Sequence, residues 1–561
     1  MSRRRERRGE QERGGLPTRD GGAHTAPAPG AAAPELSTAE PAAHGTAGAH
    51  GTGTRDVADT TVAPDLGTHG IARPTAPPAP SLFEAMLPIL TMLVLFVLGT
   101  VFLGGGQELL IGVLLCAAAV AGFVAARHGH GWDDIQRAMG EKLAGALPVL
   151  LILLSIGALI GTWVLSGTIP YLVCWGIRLV SPGMIVLASF LVTAVMSTFT
   201  GTSWGSAGTV GVALMGTAAA LDAPLAATAG AVVSGAYFGD KVSPLSDSTN
   251  IAAIGAGAPL YSHIRHLMHT SVPSFLAAFV VYAAATRLAP VAGDGTTETA
   301  RALIADLEAV FRLDWVALVP PAVVIWCIVR RVPPALAIML SALVAAAIGI
   351  LFQPFSLGDA VAAAIGGFRI EMVTAAGVDP ATLGPDFTRL VQRGGLYSMA
   401  NTFVVIFSAF LLAAAMEVSG AIGTLVNAML RAVRSAFGLV ASTMAAGATT
   451  IALTSHGGVT SLIIGGLFQE SYRERGLAPE NLSRSIEDSV TITEPLMPWT
   501  VSAIYMATTL GVPTVDYLPW AVFCYGGPCF SLLLAWLYTR TGYGLKEVKP
   551  PHPAPAPGLR A

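Results

Sequence analysis

Residues 235–250 read GAYFGDKVSPLSDSTN. Three charges, Asp240, Lys241 and Asp247, fall within eight positions. Ser243, Ser246, Ser248, Thr249 and Asn250 fill the gaps, and Pro244 removes a backbone donor and breaks a helix. A long apolar run (225–238) stands just before this block, and small apolar residues (251–258) follow it. An aqueous loop would also be short and polar. Tight apolar flanks on both sides fit an unwound or re-entrant helix better. A charge at mid-membrane costs about 2.5–3.5 kcal/mol on insertion scales, so three of them together need partners or a role.

Composition agrees with a membrane setting. The 561 residues are 53% hydrophobic and only 12% charged, about half the charge of a soluble domain. Apolar stretches long enough to span cover 86–104, 108–126, 145–165, 183–200, 270–290, 314–331, 333–352, 397–417, 436–454 and 518–538. Less clean ones cover 204–238, 457–469 and 489–512. The loop 291–313 leans acidic, whereas Arg330, Arg331, Arg540, Lys546 and Lys549 suit the cytoplasmic side. The expectation is an all-α polytopic protein of the inner (plasma) membrane, with about 12 transmembrane helices and both termini cytoplasmic. Residues 1–80, rich in Arg and then Ala, Pro, Gly and Thr, have nothing to build a core from and read as a disordered cytoplasmic tail. Residues 541–561 read as a second disordered tail. A net charge of -3 without a basic aromatic surface gives no sign of nucleic-acid binding. Membrane lipid and small ions are the expected partners, and the oligomeric state is not legible. Five cysteines in apolar stretches read as packing residues.

The chain also repeats itself weakly. Ser166-Gly167-Thr168-Ile169 returns as Ser419-Gly420-Ala421-Ile422, Thr202-Ser203-Trp204-Gly205 as Thr454-Ser455-His456-Gly457, and Pro244-Leu245 as Pro495-Leu496. Three landmarks in one order at nearly one offset predict two related repeats, about 86–290 and 333–539, within a membrane domain at 81–540. An unmatched linker helix at 314–331 permits inversion. Duplicated halves with interrupted helices mark secondary transporters, whose site lies near the midplane. The densest polar material supports this: STFTGTSWGSAGTVG (197–211) with 235–250 in the first half, and TSHGG (454–458) with SIEDSVTITEPLMPW (485–499) in the second.

Sodium is a hard cation and takes oxygen ligands. A carboxylate in low dielectric holds its proton up to higher pH, so one group takes either a proton or Na+, and that competition yields exchange. Asp240 and Asp247 are the first candidates for Na+, with Lys241 balancing one of them. Ser243, Ser246, Thr249, Asn250, Thr202 and Ser203 could add oxygens. Glu487, Asp488, Thr491, Thr493 and Glu494 are the counterparts in the second half. Glu417 reads as a relay or an interfacial acid, and Asp222 as a turn residue. His263, His266 and His269 read as interfacial rather than a metal site, because i and i+6 diverge on a helix.

GTSWGSAGTVGVALMG (201–216), AGAVVSGAYFGDKVSPLSDSTN (229–250), HIRHLMHTSVPSF (263–275) and LSRSIEDSVTITEPLMPW (482–499) resemble the NhaC-type sodium/proton antiporter family across roughly 82–540. The resemblance implies exchange of Na+ and H+, with no cofactor and no enzymatic chemistry, in a fold of two related halves. Some relatives instead couple Na+ and H+ to malate and lactate, so an exchanger of small organic anions or amino acids is the alternative. Arg265, Lys241 and half-helix N-termini would then be the anion's donors. The chain departs from the family pattern at Val490, His456 and Glu494. A membrane enzyme or channel finds no support, since no nucleophile–base pair, nucleotide motif or filter repeat is visible.

Overall fold

The computed structural model describes residues 79–548 except 104–105, 181, 289–294 and 432. Among the described residues the chain is helical, with no strand beyond an isolated bridge between Leu477 and Glu547. Most of the expected N-terminal tail lies outside them. The C-terminal tail does so only from residue 549: Tyr543–Val548, expected to be disordered, runs back along the bundle, where Ala478 N–H donates to Lys546 O and Val548 N–H to Gly476 O.

The described chain begins with α1 (Leu82–Leu103), α2 (Gln107–Arg127), α3 (Trp132–Leu165), α4 (Thr168–Leu179) and α5 (Ile185–Thr200). A short α6 (Ser203–Ser206) passes through a π turn, Ala207–Gly211, into α7 (Val212–Ala220). Then come α8 (Leu225–Val242), α9 (Asp247–Ala256) and α10 (Leu260–Leu288). Next come α11 (Gly295–Val310), α12 (Val319–Val329), α13 (Pro334–Leu351), α14 (Leu357–Gly366) and α15 (Pro385–Val391). The rest comprises α16 (Ala400–Val418), α17 (Ala421–Arg431), α18 (Ala436–Thr454), α19 (Gly457–Glu474), α20 (Pro479–Ile486), α21 (Val501–Leu510), α22 (Thr514–Tyr517) and α23 (Val522–Thr541).

Eight described helices are long and apolar enough to cross a membrane, or nine if one bent pair counts as a span. Their outer faces are apolar too. Along α1, Val94, Val97, Leu98, Val101 and Phe102 stand exposed, a surface suited to lipid rather than water. This is a multi-pass membrane protein. The stretch 314–331, expected as a linker helix, is a continuous helix over Trp315–Val329 that opens with a 3-10 turn (Trp315–Leu318), and it is bent 97° from the preceding Ala300–Val310 helix. Asp314 accepts from Val316 N–H, and Pro320 and Pro321 open α12, where the missing donors cost nothing. The stretch 204–238 divides at Asp222, which sits in a turn with φ 49.

Two close crossings hold the parts that carry the polar breaks. On α8, a Cβ at Gly239 would lie 2.3 Å from Thr198 N, and one at Gly235 would lie 2.4 Å from Phe190 O, so α5 and α8 pack backbone to backbone. Ser197 Oγ donates to Ala236 O across this seam (2.5 Å). Similarly, a Cβ at Gly465 of α19 would lie 2.2 Å from Gly255 O of α9. The colliding atoms are backbone and cannot step aside. Gly239→Ala is therefore expected to destabilise by about 1–3 kcal/mol, read as a lowered thermal midpoint in detergent. An unchanged midpoint would mean the two helices are not packed this way.

Candidate functional site

The α8 helix ends because Pro244 cannot continue its hydrogen-bond ladder. Ser243 N–H still reaches Gly239 O, then Ser246 N–H turns back to Ser243 O (3.2 Å) and opens α9. The break is tied down by side chains. Thr249 Oγ1 donates to the carbonyls of Asp240 (3.1 Å) and Lys241 (3.0 Å), and Asn250 Nδ2 to those of Pro244 (3.1 Å) and Ser246 (2.7 Å). Asp240, half-buried, faces the break. Its Oδ1 accepts from Ser246 Oγ (2.5 Å) and its Oδ2 from Ser203 Oγ at the start of α6 (2.6 Å). Two hydroxyls from separate elements thus hold one carboxylate.

The segment that follows α20 brings its acids to the same region. α20 runs into a π turn, Glu487–Thr491, a local widening often found at functional sites. Glu487, Asp488 and Ser489 are buried. Asp488 Oδ1 forms an ion pair with Lys241, both side chains fully buried, and Thr270 Oγ1 of α10 touches both partners (3.3 Å to Nζ, 3.4 Å to Oδ1). The Lys241 ammonium also lies 5.8 Å from the Phe523 ring centroid. Both carboxyl oxygens of Glu487 are buried without a hydrogen-bond partner among the described residues. Glu494, in a 3-10 turn, lies against the N-terminus of α19, so close that a Cβ on Gly457 would sit 3.2 Å from its Oε2. Glu487 and Glu494 are both within electrostatic range of Asp240. Trp204 stacks on Tyr505 of α21 (centroids 4.2 Å apart, planes 6°), and Tyr505 OH donates to Trp204 O (2.6 Å).

The other residues singled out in the sequence divide into three groups. Ser203 and Ser246 meet Asp240. Thr249 and Asn250 spend their donors on the break; Thr202 caps α6 by accepting from Gly205 N–H, Ser243 accepts from Leu245 N–H, and Thr493 donates to Ser489 O (2.5 Å). Thr491 is buried beside Glu487. Asp247 departs from expectation: it is exposed at the first turn of α9, where a carboxylate favours the positive end of the helix. Lys241 departs as well, for its partner is Asp488, 247 positions away, and neither aspartate of its own segment. Glu417 pairs with Lys142 of α3 at the bundle edge, and His456 caps α19.

His263 and His266, read as interfacial, are buried on α10, and Arg484 of α20 is fully buried beside them. Sequence reasoning missed this group because its members come from helices more than two hundred positions apart. The signal was a four-residue polar rhythm, 262/266/270 on one helix and 480/484/488 on the other.

The sequence profile of the Na+/H+ antiporter family matches residues 235–537, which contain both polar breaks. A protein of Haemophilus influenzae named as an uncharacterized Na(+)/H(+) antiporter is 42% identical over 470 residues, 84% of this chain and 98% of that protein. The Na(+)/H(+) antiporter NhaC of Alkalihalophilus pseudofirmus is 34% identical over 72% of this chain and 86% of its own. The malate-2H(+)/Na(+)-lactate antiporter of Bacillus subtilis is 31% identical over 82% and 95%. With a carboxylate held at a broken helix, buried acids gathered around it and relatives matching nearly end to end, this chain belongs to the Na+/H+ antiporter family.

Proposed function

We propose that this protein exchanges Na+ for H+ across the plasma membrane, with Asp240 as the group for which the two ions compete. The observation that carries the reading is the Asp240 carboxylate, gripped by Ser203 and Ser246 at a helix break with Glu487 and Glu494 of the second half nearby. When Na+ occupies the site, the carboxylate supplies charge and the two hydroxyls turn their lone pairs to the ion. When a proton occupies it, charge neutrality is kept without the ion. Lys241 does not spoil the site for a cation, because Asp488 neutralises it. Glu487, Glu494 and Thr491 extend the polar surroundings, and Asp247, on the exposed rim, attracts cations toward the break.

In this reading the chain makes two related, inverted halves and about 12 crossings, with the breaks near the midplane and both termini cytoplasmic. Backbone turns at matching offsets support it: Gly167 (φ 77) and Gly420 (φ 73), Gly201 (φ 68) and Ser455 (φ 52), Gly257 (φ 70) and Gly511 (φ 72). The short apolar helices Ile185–Thr200, Leu357–Gly366 and Val501–Leu510 then count as parts of crossings. Residues 81–540 form the transporting domain.

Exchange of an organic anion is the weaker reading. The malate/lactate relative favours it, but Lys241 is occupied by Asp488 and Arg265 is exposed, which leaves these proposed donors poorly placed. Proteoliposomes with an imposed pH gradient decide between the two. Na+ alone is expected to dissipate the gradient; a response that requires added malate, lactate or arginine would replace the first reading with the second.

A further inference from the structure

Asp240 has a geometric double. Thr202 caps α6 by accepting from Gly205 N–H, and His456 caps α19 by accepting from Val459 N–H, each reaching three positions on. The residue that opens each helix lies against an acid. Ser203 Oγ donates to Asp240 (2.6 Å), and a Cβ on Gly457 would sit 3.2 Å from Glu494 Oε2. Asp240 follows Ser203 by 37 positions, and Glu494 follows Gly457 by the same number. Six positions after each acid stands the cap of the next helix, Ser246 for α9 and Thr500 for α21. Those two helices have the same length, 10 residues. By sequence alone Ser203 falls opposite Ser455; the fold sets it opposite Gly457, and Glu494 thereby becomes the counterpart of Asp240.

The two surroundings differ in oxygens. Asp240 is held by the hydroxyls of Ser203 and Ser246. At Glu494, Gly457 takes the place of the first and has no hydroxyl. Thr500 takes the place of the second, and its hydroxyl is spent on the carbonyls of Glu494 (2.5 Å) and Met497 (2.9 Å). Ser502 is left beside the carboxylate. Tyr237, a turn before Asp240 on α8, is buried, and its OH has no hydrogen-bond partner among the described residues. It faces Ser502 and lies within electrostatic range of both acids.

From this geometry we infer that Glu494 is a second proton-binding residue of the exchange, one that takes H+ but not Na+. A sodium ion needs several oxygens at once, and Asp240 gathers them; a proton needs one. Among the described residues no cation pairs with Glu494, whereas Lys241 serves Asp488 and lies in range of Glu487. The titratable groups facing Glu494 are Asp240 and Tyr237, both on α8; His456, at the cap of α19, reaches Gly145 O of α3 instead (3.4 Å). A buried carboxylate without a counter-charge is costly, so Glu494 holds a proton until a cation comes near. Na+ at Asp240 is that cation. It brings a full charge within range of Glu494, and a protonated Asp240 brings none. On Na+ binding the O–H bonds of both carboxyl groups break, each carboxylate keeps its electron pair and both protons leave to water. One Na+ thus replaces two H+, and the cycle moves net charge.

This inference rests on the exchange proposed above, with Asp240 as the shared group. Its test counts the protons released per Na+ bound by the purified full chain in detergent, in weak buffer at a pH where the protonated form prevails. Because the ions are linked through binding, the count needs no turnover. The wild type is expected to release two protons, one from each carboxyl group. Glu494→Gln, a permanent likeness of the protonated acid, is expected to release one, and Glu487→Gln to keep both. In liposomes at equal pH, a membrane potential should drive Na+ through the wild type but not through Glu494→Gln, whose exchange is one for one. A single proton per Na+ in the wild type overturns the inference whatever the variants do. So does a Glu494→Gln exchange that still responds to potential, or a drop to one proton in Glu487→Gln. A folded Glu494→Gln that no longer binds Na+ would make Glu494 a sodium ligand and overturn it too. A wild type that binds no Na+ would instead remove the parent reading.

Discussion

Asp240→Asn is expected to abolish Na+/H+ exchange in proteoliposomes while leaving the protein folded. Asparagine has nearly the same shape and keeps one oxygen for Ser203 or Ser246 to meet. It lacks the charge. A cation taken into a low-dielectric site without its counter-charge loses several kcal/mol, and each 1.4 kcal/mol is a factor of ten, so a loss of about 100-fold or more follows. The variant also removes the proton carrier, so neither half of the cycle survives. Ser203→Ala and Ser246→Ala should weaken apparent Na+ affinity more mildly, each deleting one oxygen. Wild-type flux in Asp240→Asn, measured by dye-reported dissipation of a pH gradient, would remove this carboxylate from the mechanism.

The second large effect concerns the buried ion pair. Lys241→Met leaves Asp488 ionised without a partner, among residues with no access to solvent. Breaking one side of such a pair costs about 3–5 kcal/mol, enough to lower yield and thermal midpoint sharply. Asp488→Leu alone strands the ammonium in the same way. The double variant, Lys241→Met with Asp488→Leu, removes both charges and is expected to recover much of the stability, because neutral apolar replacements of buried pairs are often tolerated. Transport should not recover with it. A double variant no more stable than either single one would show that the two charges do not depend on each other.

The polar segments of the candidate site were legible in the primary structure because membranes punish polarity. The block around Asp240 and the Glu487–Glu494 stretch stood out against apolar flanks, and both proved to carry helix irregularities. What was not legible is partnership. Lys241 has carboxylates one and six positions away, yet the fold gives it Asp488; sequence proximity carries no information about which helix packs on α8. Asp247 shares the residue type of Asp240, but it begins α9 on an exposed rim, and that depends on the direction the chain takes after Pro244. The histidines of α10 were misjudged for a related reason. Polar rhythm on one helix says which face is polar, and only a matching rhythm on its neighbour says that the face is covered. Span counting suffered from short helices such as α12, whose apolar character gives no length.

The two glycine crossings have a mechanical consequence. α8 is fastened to α5 through Gly235 and Gly239, whereas α9 is fastened to α19 through Gly255 and Gly465. The four residues joining α8 to α9 therefore connect two separately anchored helix pairs, and Thr249 and Asn250 brace that joint. Asp240 rides on one pair and Ser246 opens the other, so any swing of α9 with α19 relative to α5 with α8 stretches the grip on the carboxylate. Under the proposed exchange such a swing would loosen the ion's site, and it would have to break the Ser246 contact to Asp240 together with the Thr249 bonds to the carbonyls of Asp240 and Lys241.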